Sequence, residues 1–211
     1  LYRNYKGLEI VAHKRMSDGW QFMASLNLSD GFGNVGNSFG STPGGLALYN
    51  NPNTLINIEG PLDLDAPFAL KLQGTYLAPY GVVLSGYYLA ISGFPLKPPE
   101  DFPADPALGA YTLRFLRTQV PQIVVESNID VAGVPRGSFR HDFRNIVNIR
   151  AEKQFKLGGV RRFGLIADVF NLFNSSRVTT IQSLRYDLPQ FLRPARIENP
   201  LILRIGLRFD F

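Results

Sequence analysis

The chain is 211 residues long, carries a formal net charge of +5, is close to half hydrophobic and has no cysteine. The lack of thiols excludes a disulfide scaffold and a cysteine zinc site, and it is compatible with passage through an oxidising periplasm. The cations are scattered instead of gathered in one block or helix face, which argues against nucleic acid as a partner.

In chain order, residues 5–14 set Leu8, Ile10 and Ala12 opposite Glu9 and His13, and that period of two predicts a strand. A tight turn over 15–19 leads to a second strand over 20–28, where Trp20, Phe22, Ala24, Leu26 and Leu28 oppose Gln21, Ser25 and Asn27. Residues 29–67 form a long loop. Its glycines between Gly31 and Gly45 follow no dinucleotide spacing and carry no phosphate-binding lysine. A third strand over 68–76 opposes Phe68, Leu70, Leu72, Gly74 and Tyr76 to Lys71, Gln73 and Thr75. Residues 78–81 read as a tight turn, and residues 82–92 are a strand that is apolar on both faces. The uncharged run 73–96 is therefore no membrane helix, because Pro79, Gly81, Gly86 and Gly93 interrupt it. The long loop 94–142 is rich in proline, and we expect its apolar stretch 107–116 to form a short helix or a hairpin.

Residues 143–155 alternate Phe143, Val147, Ile149, Ala151 and Phe155 with Arg144, Asn148, Arg150, Glu152 and Gln154. After a tight connection over 156–162, Phe163, Leu165, Ala167 and Val169 alternate with Gly164, Ile166, Asp168 and Phe170, so Asp168 reads as a buried acid. A third long loop, 173–199, precedes the cleanest strand: Leu201, Leu203, Ile205, Leu207, Phe209 and Phe211 on one face, Arg204, Gly206, Arg208 and Asp210 on the other.

These about seven strands have the length a tilted strand needs to cross a bilayer, and their connections alternate short and long. That asymmetry predicts an all-β fold: a segment of a transmembrane antiparallel β-barrel with short periplasmic turns and long extracellular loops. Trp20, Tyr76, Tyr80, Phe155, Phe163, Phe209 and Phe211 collect beside the short turns, as an interfacial girdle would. An odd number of strands does not suit a bacterial barrel, so we expect residues 1–211 to be the C-terminal part of a wider one, without a plug domain. The last strand should then pair with residues 163–171 on one side only. No export signal opens the chain, so either it has been removed or the chain begins inside a longer protein.

On this reading the second face lines the barrel interior: Glu9, His13, Lys71, Arg144, Arg150, Glu152, Asp168, Arg204, Arg208 and Asp210. We read these mixed charges as salt-bridged wall more than as substrate ligands. Nothing predicts an enzyme or a cofactor. His13 and His141 fall on opposite sides of the membrane, and Glu100, Asp101 and Asp105 match no calcium loop. No nucleophile elbow is present. Arg140, Arg177, Arg185, Arg193 and Arg196 lie toward the outer side, where lipopolysaccharide phosphates are a candidate partner. The alternatives are a passive or structural outer-membrane protein with partner-binding loops, and a secreted β-sandwich.

Several segments resemble the C-terminal barrel of TonB-dependent outer-membrane receptors, particularly the Oar-like group with a carboxypeptidase-regulatory-like domain. They are Tyr5-Lys6-Gly7-Leu8-Glu9 followed by Lys14-Arg15 and Gly19-Trp20; Asp65-Ala66-Pro67-Phe68 with Pro79-Tyr80-Gly81; and, most specific, Asp168-Val169-Phe170-Asn171-Leu172-Phe173-Asn174. The ending, with Arg204, Gly206, Phe209 and Phe211, resembles the signal read by the barrel assembly machinery. The resemblance implies energised uptake through a barrel of about 22 strands, a plug, a TonB energy-coupling complex and the outer membrane of a Gram-negative-type bacterium. It names no substrate.

Overall fold

A computed structural model of the protein describes residues 2–34, 55–96, 112–116, 128–132, 134–183 and 188–211. Gly36, Gly40, Gly44, Gly45, Glu100, Asp101, Asp105 and Arg185, with residues 107–111, lie outside that set.

Seven long strands follow one another as an antiparallel meander: β1 (Arg3–Ser17), β2 (Trp20–Gly33), β4 (Phe68–Ala78), β5 (Val82–Ile91), β8 (Arg144–Gly158), β9 (Arg161–Phe170) and β12 (Ile202–Asp210). A short β3 (Gly60–Pro61) adds to the end of β2. Two hairpins belong to the long connections, β6 (Thr112–Leu116) with β7 (Asn128–Ala132) and β10 (Val178–Ile181) with β11 (Pro194–Ile197). The first of them realises the hairpin alternative for the C-terminal half of the apolar stretch 107–116. No helix among the described residues is long and apolar enough to cross a membrane.

The turn chemistry explains the short connections. Asp18 and Gly19 both have positive φ, 52° and 81°, which suits the two-residue hairpin turn whose twist matches the flanking strands. Between β4 and β5, Pro79 opens a single 3-10 turn and Tyr80 and Gly81 take positive φ. Between β8 and β9, Gly158 and Gly159 do the same. The registers place all three turns at one edge of the sheet, since Trp20 pairs Tyr76, Val82 pairs Lys153 and Asp210 pairs Arg162 at that end. Phe211 follows Asp210 there. His13 lies toward this edge and His141 beyond the opposite one, as expected.

Partners directly opposite in an antiparallel pair share a face, so the registers sort every strand residue. One face carries Leu8, Ile10, Leu26, Leu70, Leu72, Leu84, Ile149, Leu165, Leu203, Ile205 and Leu207. These side chains face outward: Ile205 is 70% and Leu207 71% exposed. Among the described residues the buried hydrophobic side chains are only Leu62, Ala90, Leu96, Ile146 and Ile181, while Asp65, Glu152, Asp168 and Asn171 are buried polar ones. A fold stabilised in water would put its apolar side chains inside, and this sheet turns them out.

The long-loop end is folded on its own terms. Leu96 and Ile181 form a small core with Val134, Val178, Phe191 and Leu192, and Phe139 meets Phe191 edge-on at 6.3 Å. Residues 134–143 run across the loop bases as a strap. Arg136 pairs with Asp63, Arg140 with Asp65 at 2.6 Å, and Arg144 grips Glu198 through two bonds of 2.9 and 2.8 Å. Gly93 permits the tightest approach, since a Cβ there would overlap the His141 carbonyl oxygen.

Candidate functional site on the polar face

The registers put all ten of the expected interior residues, Glu9 through Asp210, on the face opposite the apolar one. They do not form one cluster. At its centre is a transverse row, one residue per strand, running Arg204, Asp168, Arg150, Ser85, Thr75 and Gln21 from β12 to β2. Asp168 is buried and receives both neighbours: Arg150 Nε donates to Oδ1 at 2.6 Å, and Arg204 Nη2 and Nε donate to Oδ2 at 2.7 and 2.9 Å. The two arginine side chains stay about half exposed, at 45% and 58%. Farther along the row, the Thr75 and Ser85 hydroxyls share a bond of 3.1 Å.

A second group lies toward the short-turn edge. Glu152 accepts a bond from Gln154 at 2.8 Å, Arg208 lies 3.9 Å from it, and Arg208 also bonds Asp210 at 3.0 Å. Gly164 makes room between them, because a Cβ there would stand 3.1 Å from a Glu152 oxygen. Arg144 is engaged elsewhere, by Glu198 of the last long loop, and Glu9, His13 and Lys71 take part in no ion pair among the described residues. Gln21 and Thr75, placed on the second face by their alternation but not counted among the candidates, and Ser85 and Tyr87, missed because residues 82–92 read as apolar on both faces, line with His13, Arg150 and Asp168 a groove of about 610 Å³ on this face. The tight turns fix two steps of the row, Thr75 with Ser85 and Arg150 with Asp168, whereas its other three pairings span long connections whose register the sequence does not set.

Of the terminal residues, Arg204 belongs to the Asp168 cluster, while Phe209 and Phe211 stand exposed on the apolar face with rings 6.0 Å apart. Gly206 is the glycine of the ending that resembles the assembly signal. Its nearest would-be contact is the Ile166 side chain at an ordinary 3.8 Å, so β9 does not require a glycine there. Among the described residues the other edge of β12 pairs with nothing, and the same holds for the outer edge of β1.

The outer arginines divide. Arg140 spends three of its five N–H groups on the Asp65 carboxylate, the Asp65 carbonyl and the Gly93 carbonyl. Arg177 is lowered from its ordinary pKa by burial and by the neighbouring Arg144. His141 is lowered too, first by burial and then by Arg177, and its Nδ1 has no hydrogen-bond partner among the described residues. Burial in this joint disfavours the charged forms of His141 and Arg177, while the ion pairs of Arg136, Arg140 and Arg144 hold it together.

The apolar face has its own order. At the short-turn edge Phe155, Phe163 and Phe209 lie in register, with Phe155 and Phe163 rings 6.1 Å apart, and Trp20 pairs with Tyr76 in the same band. Lys14 and Lys153 reach this band from the same face. The Lys14 ammonium lies 4.0 Å from the centre of the Trp20 ring, and Lys153 lies over Phe155 and donates to the Tyr80 carbonyl. At the other edge Phe68 meets Phe143 at 6.0 Å. From Phe143 to Phe155 is a rise of about 40 Å along β8, which at a tilt of about 40° covers about 30 Å, the thickness of a bilayer's hydrocarbon core.

No family pattern matches the chain, and no curated protein matches it. Among solved structures it is similar to the outer membrane transporter YddB from Escherichia coli, with a TM-score of 0.48 and 12% identity over 97% of this chain; the chain spans about a quarter of that transporter, 24% of its length.

Proposed function

We propose that this chain forms part of the wall and outer loops of a bacterial outer-membrane β-barrel that takes up a solute in a TonB-dependent manner. The observation that carries the proposal is the division of the sheet: one face apolar and exposed between two aromatic bands, the other charged and hydrogen-bonded, with every tight turn at one edge. The apolar face meets lipid, Lys14 and Lys153 reach toward the headgroups as amphipathic side chains do, and the Arg204-Asp168-Arg150 row faces a wide interior. The unpaired edges of β1 and β12 join further strands, and β12 presents its aromatic end to the assembly machinery. The chain does no catalysis in this reading; it holds the pore open and presents its loops. Energy coupling rests on the family resemblance of residues 5–20, 65–81 and, most specifically, 168–174.

Because the chain has no cysteine, single replacements report cleanly on each face. In the full-length protein in membranes, Leu203→Cys, Ile205→Cys and Leu207→Cys are expected to resist a water-soluble maleimide and accept a lipid-soluble one. Arg204→Cys, Gly206→Cys and Arg208→Cys are expected to react in the opposite sense. Aqueous labelling that does not alternate along β12 would remove the membrane assignment. Uptake that persists after loss of the energy-coupling protein would instead leave a passive barrel.

A further inference from the structure

The apolar face has one gap. Gly74 of β4 and Gly86 of β5 pair directly in register, and both belong to the lipid-facing side of the proposal above. Glycine weakens a strand interior and is retained there for a bulge, a bend or a close approach. The β4–β5 register runs without a shift through this pair, and neither residue has positive φ. Space is therefore what the pair supplies. A Cβ at Gly86 would meet nothing within 4 Å, and at Gly74 it would meet the Gln21 carbonyl oxygen at 3.3 Å. The result is a hollow of about 500 Å³ rimmed by Phe22, Leu72, Tyr88, Val147 and Ile149.

A cation stands in line with it. Lys153 is on the same face of β8 as Ile149, four residues closer to the short-turn edge. That is about 13 Å along the strand and about 10 Å in depth once tilt is allowed for, within one leaflet's hydrocarbon half of about 15 Å. The two lysines of the band differ. Lys14 already donates to the Ser17 carbonyl, the Ser17 hydroxyl and the Trp20 carbonyl, which uses all three of its N–H groups. Lys153 donates to the Tyr80 carbonyl, and among the described residues its other two N–H groups are free.

We propose that this face holds one phospholipid of the short-turn leaflet, with its phosphate on Lys153 and one acyl chain laid into the Gly74–Gly86 hollow. The site rests on the membrane-facing assignment made above. A phosphate matches the free N–H groups of an ammonium at the girdle, and an apolar chain matches a hollow whose rim has no charged side chain. A protein side chain from a neighbouring copy would fill the hollow but would leave Lys153 without its anion.

The test uses the full-length protein in vesicles of phosphatidylethanolamine and phosphatidylglycerol doped with a phospholipid carrying a mid-chain diazirine. After photolysis, peptide mapping is expected to find label on Phe22, Leu72, Tyr88 and Ile149 at about fivefold or more over Leu165 and Ile205 of the same face. Gly86→Leu is expected to bring that excess to background, Gly86→Ala to reduce it, and Lys153→Gln to reduce it while Lys14→Gln leaves it unchanged. Gly86→Ala and Lys153→Gln carry the test if Gly86→Leu does not assemble. Even labelling of the whole apolar face, or an excess that survives both Gly86→Ala and Lys153→Gln, overturns the site but keeps the membrane assignment. Label on the charged face overturns both.

Discussion

Asp168 shows how one residue organises a face. It is buried between two arginines whose side chains remain about half exposed, so the pairing is neither a surface bridge of negligible worth nor a fully desolvated one. Removing its charge leaves two guanidinium groups side by side with no anion between them. Asp168→Asn is expected to destabilise the assembled protein by about 2 kcal/mol, read as a lower temperature at which its folded form is lost on a heat-modifiability gel. Adding Arg150→Gln and Arg204→Gln to that variant is expected to return most of the loss, since it removes the uncompensated cations. A triple variant no more stable than Asp168→Asn alone would show that the cluster stabilises by some route other than charge pairing. The acid itself was legible from the sequence, as the one carboxylate in an otherwise apolar run. Arg150 was within reach through the tight β8–β9 turn, but Arg204 was not, because its pairing with Asp168 spans the long loop 173–199.

At the scale of elements, the legible parts were the strands and the tight turns, where alternation and positive-φ residues coincide. The loop ends were not legible, and the Asn171-Leu172-Phe173-Asn174 segment is the clearest case. In sequence it was a family resemblance; in the structure it is a clasp. Asn171 and Asn174 both have φ of 50°, which Asn tolerates better than most residues. The Asn171 side chain donates to the Ser175 and Asn199 carbonyls at 3.0 and 2.7 Å and accepts from the Ser175 amide at 2.9 Å. Asn174 accepts from the Leu201 amide at 3.0 Å. The clasp therefore joins the two ends of the last long loop and sets where β12 begins. Two effects of losing it can be separated. Asn171→Gly keeps the backbone conformation and loses only the side-chain bonds, whereas Asn171→Ala loses both. Both variants are expected to speed amide exchange at Ser175, the Ala variant to the greater extent. Unchanged protection at Ser175 in the Gly variant would mean that the clasp holds nothing. The strap of Arg136, Arg140 and Arg144 was missed for a related reason. Its arginines recur every fourth residue in a segment that is not a helix, and their acids come from two other loops.

At the scale of the whole molecule the question is how the sheet closes. Seven strands spaced about 4.8 Å apart and tilted by about 40° would enclose a circle only about 14 Å across, and even eight strands leave an interior just filled by side chains. Arg150, Arg204, Lys71, Tyr87, Gln21 and Gln73 all project from the inner face, and two of the arginines remain about half exposed over a groove of about 610 Å³. A closed circle of seven strands leaves little room for those side chains. On the wide-barrel proposal, the edges of β1 and β12 each meet a further strand and not one another. Cysteine pairs test this directly, since a disulfide needs Cβ atoms about 3.8 Å apart and only adjacent strands bring them near that. In the intact membrane protein, Leu165→Cys with Leu207→Cys, opposite one another in β9 and β12, is expected to cross-link on mild oxidation. Leu8→Cys or Ile10→Cys on β1, combined with Leu203→Cys, Ile205→Cys or Leu207→Cys on β12, is expected to stay reduced. If any of those six combinations cross-links as readily as the control, the seven strands close on themselves and the wide-barrel reading fails.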